Sequence, residues 1–130
     1  MHSKQDYENL FKIIVNSAYE VHKELGPGLF ESIYEECLLE ELRAQGVNAK
    51  NQVKLPVIYK GKALDKVFYV DILVENIIII ELKAVEEILP IHEVQLLTYM
   101  RLSELYLGAL INFNVPLIKN GIRRKINGYL

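Results

Sequence analysis

The sequence predicts an α/β fold of the mixed α+β kind. Its elements run in the order ααβββαβ, with a central four-stranded mixed sheet flanked by helices. Three observations carry that prediction. Apolar residues early in the chain recur at spacings of three and four, as on amphipathic helices. The middle of the chain switches to period two and to β-branched runs, as in strands. One further helical stretch separates the third strand from the fourth, and such a crossover allows those two strands to pair in parallel.

Residues 6–25 read as the first helix, with Tyr7, Leu10, Phe11, Ile14, Val15, Ala18 and Val21 on one side. Gly26-Pro27-Gly28 breaks it. A second helix over 29–45 carries Phe30, Ile33, Tyr34, Cys37, Leu38 and Leu42 as its apolar stripe, and Gly46 stops it. Val53, Leu55, Val57 and Tyr59 alternate as in a half-buried strand, and Gly61 marks a turn. Residues 66–74 (KVFYVDILV) form the second strand, and Glu75-Asn76 is polar turn material. Residues 77–84 (IIIIELKA) form the third. Its isoleucine run implies burial on both faces, hence a central place in the sheet. Residues 91–104 return to helical spacing through Ile91, Val94, Leu97 and Leu102. Residues 105–113 (LYLGALINF) form the fourth strand. The tail after Pro116 holds a basic run, Arg123-Arg124-Lys125, and one more short strand or turn.

Composition sets outer bounds. The chain has 130 residues, 51% apolar and 25% charged, with a formal net charge of −2. That length suits one domain over residues 1–130, and the apolar content excludes intrinsic disorder. No stretch approaches the roughly 18 apolar residues of a membrane span. The polar start MHSKQDYEN does not read as a signal peptide. The single cysteine, Cys37, excludes an internal disulfide framework and a cysteine-based zinc site, so a reducing, cytoplasmic setting is expected. The charge is segregated: residues 1–41 carry −6, 42–70 carry +5, 71–104 carry −5 and 105–130 carry +4. Near-neutrality therefore conceals two basic blocks that suit phosphates and two acidic blocks that suit a cation.

Three residues do not fit a packed core. Asp71 interrupts the apolar run of the second strand, and Glu81 and Lys83 end the isoleucine strand. An unpaired buried carboxylate costs several kcal/mol unless it is paired or holds a metal. Period two puts Glu81 and Lys83 on one face with Leu82 on the other. Asp71 joins Glu81 only if the strands pair in one register. Val74 must sit opposite Ile78, leaving the three-residue connection Glu75-Asn76-Ile77. A two-residue turn would put the carboxylates on opposite faces. Three-residue loops commonly need a left-handed residue, which Asn76 tolerates. Two converging carboxylates with the Leu82 backbone carbonyl make a hard-oxygen site suited to Mg²⁺ or Mn²⁺. A lysine on that face would orient the attacking water in phosphodiester hydrolysis. The same residues would also serve as a simple ion pair at a sheet edge.

The strand pair YVDILVENIIIIELKA resembles the core motif of the PD-(D/E)XK nuclease superfamily, whose core is restriction-endonuclease-like. GLFESIY (Gly28 to Tyr34) resembles the signature of the GxxExxY family within it, as do HEVQLLTYM and LINFNVPLIKNGIRRKING. The resemblance covers residues 7–128. It implies that Asp71 and Glu81 are metal ligands and Lys83 the catalytic lysine. It implies that Glu31 is the helix-borne acid completing the site and Gln95 an auxiliary polar residue. The motif's proline is replaced by Val70. Read from the residues alone, Glu31 also fits a solvated acidic helix face, Tyr34 and Cys37 fit a core, His92 fits the surface, and Gln95 fits a backbone-bonding role.

The expected function is a divalent-metal-dependent nuclease acting on nucleic acid, DNA before RNA, with no membrane partner. The blocks Lys50 to Lys66 and Lys119 to Lys125 would contact phosphates. An enzyme of this size that cuts both strands would work as a homodimer. The alternative is a catalytically silent nuclease-like domain used for nucleic-acid binding or assembly. No Gly-rich phosphate loop supports a nucleotide-binding enzyme.

Overall fold

The computed structural model describes residues 2–130. The first helix, α1, spans Lys4–Leu25. It begins before the apolar stripe does, because Ser3 and Asp6 close a capping box in which each backbone N–H donates to the other's side chain. Tyr7, Phe11, Ile14, Ala18 and Val21 are its buried side. The second helix, α2, spans Glu31–Ala44 and buries Tyr34, Leu38, Leu39 and Leu42. Phe30 precedes α2 as its N-cap and is 79% exposed, and Ile33 is exposed as well, so the apolar stripe is narrower than the sequence predicts.

Five strands follow, not four: β1 (Ala49–Tyr59), β2 (Lys62–Val74), β3 (Ile78–Lys83), β4 (Leu107–Asn112) and β5 (Ile122–Ile126). They lie in sequence order across one sheet. β1–β2, β2–β3 and β4–β5 are antiparallel, and β3–β4 is parallel. The predicted crossover is present, and the three strands before it form an antiparallel meander. The first hairpin is longer than its alternation suggests. Its two-residue turn, Lys60-Gly61, has both residues at positive φ, matching the twist of the strands it joins. The helix of the crossover, α3, spans Pro90–Leu102.

The register of β2 on β3 pairs Val74 with Ile78, Leu73 with Ile79 and Ile72 with Ile80. The connection is the three-residue Glu75-Asn76-Ile77, and Glu75 and Asn76 are both left-handed. This is the register that brings Asp71 and Glu81 to the same end of the pair.

The isoleucine run serves two cores. Ile78, Ile80 and Leu82 pack with Ile14, Tyr34, Leu38 and Phe113 under α1 and α2. Ile79 packs with Val70, Leu73, Leu96, Met100 and Leu110 under α3. Fully burying each isoleucine is worth about 1.5–3 kcal/mol, so β3 anchors both layers. α3 meets the sheet through Leu96 and Met100, while Ile91 and Val94 point outward at 63% and 53% exposure. The helix is apolar on several sides, and spacing alone selects the wrong one. It closes on β4 at Gly108, where an added Cβ would stand 2.7 Å from Met100 Sδ. β5 is built from the basic tail. Arg124 pairs with Glu8 of α1 and lies over the Phe11 ring, and Lys125 pairs with Glu93 of α3.

Candidate active site

β2 and β3 part company at Asp71. Their paired residues end at Ile72 and Ile80. Beyond that point the backbone amides that a ladder would satisfy need other acceptors. The side chains supply them. The Leu82 N–H donates to Asp71 Oδ2 at 2.7 Å, and the Asp71 N–H donates to Glu81 Oε1 at 3.2 Å. The two carboxylates thus sit crosswise in a fork between the strands. A strand residue turns its N–H and C=O to the same side, so the Leu82 carbonyl opens on this fork too.

The fork also marks a change of facing along the hairpin. Val53, Leu55, Phe68 and Val70 pack toward α3, whereas Ala49, Ile72 and Val74 pack toward α1 and α2. Gln52, across from Asp71, takes a positive φ of 48. Its Nε2 donates to Asp71 Oδ1 at 3.3 Å and to Glu35 Oε1 at 2.7 Å. Asn51 Nδ2 donates to Glu35 Oε2 at 3.2 Å. Glu35 is therefore the helix-borne acid tied to Asp71, through one glutamine. Glu31 lies one turn earlier on α2, exposed, with no hydrogen bond or ion pair of its side chain among the described residues. The i, i+4 spacing put Glu35 on the same side as Glu31 in the sequence, but nothing there ranked it first.

Glu81 is 7% exposed. Burial, and then the neighbouring Asp71 charge, push its carboxyl up from 4.5 to about 8. Lys83, half-buried on the same face of β3, pulls only weakly the other way. At neutral pH Glu81 is therefore mostly protonated when no cation is present. The α3 side of the site carries Tyr99, whose hydroxyl accepts from Gln95 Nε2 at 3.0 Å and whose ring stacks on Phe68 at 4.4 Å. Burial, followed by the Glu81 charge, raises the Tyr99 hydroxyl. Gln95 reaches the site through Tyr99, a residue the sequence did not single out.

Tyr34 and His92 have structural roles. Tyr34 is wholly buried, stacks on Phe113 at 4.4 Å and ties the loop before α2, its hydroxyl donating to Gly26 O and accepting from Leu29 N. His92 Nδ1 accepts from the Leu89 N–H and caps α3. Cys37 is half-buried against the helical core, and burial raises its thiol. Of the second basic block, Arg124 and Lys125 are engaged in ion pairs, and Arg123 donates to Asn120 O. Among the described residues no third histidine, cysteine, aspartate or glutamate joins Asp71 and Glu81 closely enough to share an ion.

Residues 8–125 match the family model of the PD-(D/E)XK nuclease superfamily, and the chain belongs to that superfamily. The five-stranded mixed sheet between helices is consistent with its restriction-endonuclease-like fold. Nucleases of this superfamily generally use divalent metals. A search of the curated proteins and a search of the solved structures find no match. Among the described residues no helix is long and apolar enough to cross a membrane.

Proposed function

We propose that the chain is a GxxExxY-type member of the superfamily, one domain over residues 1–130, and a Mg²⁺- or Mn²⁺-dependent nuclease acting on DNA. The observation that carries this reading is the fork: a buried glutamate held against an aspartate, with a lysine two residues along the same strand face. Such an arrangement is costly for the fold alone, since two adjacent carboxylates destabilise each other.

The residues fit a divalent cation. The donors are hard oxygens from Asp71, Glu81 and the Leu82 carbonyl, and burial together with the Asp71 charge raises the Glu81 carboxyl to about 8, a cost that a bound cation would offset. Glu35, with Glu31 one turn further out, would complete its surroundings from α2. A cation there supplies charge that offsets the carboxylates and the phosphate under attack. The chain's own residues do the rest. Glu81 would hold the cation as its carboxylate, its proton passing to solvent. Lys83 orients the attacking water and steadies charge on the phosphate oxygens. Gln52 fixes the Asp71 carboxylate, and Tyr99 with Gln95 lines the α3 side.

The test is Mn²⁺-dependent cleavage of duplex DNA by wild type, Asp71→Ala and Lys83→Ala, with folding checked by circular dichroism. Lys83→Ala is expected to lose about 10²–10⁴-fold in rate. Calorimetry should show divalent-metal binding by wild type and its loss in Asp71→Ala. A wild type that binds no divalent metal, or a Lys83→Ala protein that cuts as fast, would refute the assignment. Cleavage of both strands would call for two copies of the chain. That only two carboxylates converge among the described residues is what favours the alternative, a silent nucleic-acid-binding domain, and metal calorimetry decides between them.

A further inference from the structure

We infer that the β1–β2 hairpin beyond the fork is a ribbon arm that enters the major groove of duplex DNA. The inference rests on the nuclease reading for its polyanionic partner and adds the surface and the form of nucleic acid. The hairpin runs on past its last pairing with β3, from Val53 to Tyr59 and from Lys62 to Val70. At about 3.3 Å per residue the seven residues from Val53 to Tyr59 reach roughly 23 Å from the fork. That is about seven base pairs of duplex at 3.4 Å each.

Its charge is one-sided. Lys54, Lys60, Lys62 and Lys66 are all exposed along this stretch, against one acid, Asp65. Lys54 belongs to β1, Lys62 and Lys66 to β2, and Lys60 to the turn. Cations thus lie on both strands and at the tip. Ile58, Tyr59, Leu64 and Tyr69 are also exposed there, with Tyr69 directly opposite Lys54. A surface of lysines interleaved with aromatic and apolar side chains suits phosphates and base edges together. Two strands about 4.8 Å apart fit a major groove about 12 Å wide, with a phosphate wall beside each edge. A-form RNA has a deep, narrow major groove that excludes such a ribbon.

The arm is not a loose flap. Val53, Leu55 and Phe68 pack into the α3 core, and Phe68 stacks on Tyr99. Its root is tied to the carboxylates, since Gln52 donates to Asp71. In the other basic block, by contrast, Arg124 and Lys125 are already paired to Glu8 and Glu93.

The experiment is fluorescence anisotropy in metal-free buffer, where no cleavage occurs. The probes are a 24-base-pair DNA duplex, the same duplex as RNA, and the single strand. The variants are K54S/K60S/K62S/K66S and, as a charge control away from the arm, K4S/K12S. Each phosphate contact adds about 0.9 to the slope of log affinity against log salt. The arm variant is expected to lower that slope by about 3 and to weaken duplex binding at least 100-fold at low salt. The control should leave the slope in place. Dimethyl sulfate footprinting should show guanine N7 protected in the major groove within about one helical turn of the cleavage position. Equal slopes for wild type and arm variant, RNA duplex or single strand bound as tightly as DNA duplex, or unprotected N7 would each overturn the proposal. Arm-dependent binding without any cleavage in Mn²⁺ would refute the nuclease reading alone. Cleavage indifferent to the arm would refute the arm alone.

Discussion

At the scale of single residues, the decisive property is the proton on Glu81. Its folded-state value of about 8 lies above the ordinary 4.5. The metal-free fold therefore gains stability from protonated Glu81 below about 4.5 and loses it progressively as pH rises through about 8. Denaturant midpoints of the metal-free wild type should fall between pH 5 and pH 9. Glu81→Gln should flatten that fall and be the more stable protein at pH 9, by on the order of a few kcal/mol. Parallel pH curves for the two would show that Glu81 is not the group under strain. The proposed metal loading would expel the same proton, so affinity for Mn²⁺ should rise from pH 6 to pH 8. Asp71, Glu81 and Lys83 were legible in the sequence because each breaks an apolar strand. Gln52 and Glu35 were not. A glutamine at positive φ and one glutamate among five on an acidic helix carry no mark until the fold brings them together.

At the scale of elements, two glycines differ in what they protect. At Gly108 the nearest obstacle to a Cβ is the flexible end of Met100. At Gly121, the last residue of a short 3₁₀ turn (Ile118–Gly121) leading into β5, it is the backbone carbonyl of Asn112, which cannot move without unpairing β4. Gly121→Ala should therefore cost several kcal/mol and Gly108→Ala about 1–3 kcal/mol. Thermal unfolding of the two variants checks the order, and a reversed order would mean β5 is loosely held. The β2–β3 register was legible because only one parity unites the carboxylates, and the left-handed Asn76 could be anticipated. The facing of α3 was not legible, because Leu96 and Met100 compete with Ile91 and Val94 for the sheet. The fifth strand was only half legible. Its sequence, Ile-Arg-Arg-Lys-Ile, reads as surface until Glu8 and Glu93 take up its charges from either side.

At the scale of the whole molecule, the four charge blocks now have addresses. The first acidic block covers α1 and α2, and Glu8 there neutralises part of the last basic block. The second acidic block holds the fork. Among the described residues no lysine of the hairpin block is paired with an acid, so a chain of net charge −2 still presents a cationic surface there. The fork has one more consequence. Asp71 and Glu81 act as a stop on a zipper: by taking the amides for themselves, they keep β2 from closing further along β3. An Asp71→Val/Glu81→Val protein should zip past that stop, gain hydrogen-exchange protection at Leu82, and unfold at a higher temperature than wild type. The opening that would admit a substrate is held apart by the same two side chains proposed to do the chemistry, so zipping this strand pair further would close the fold's own door.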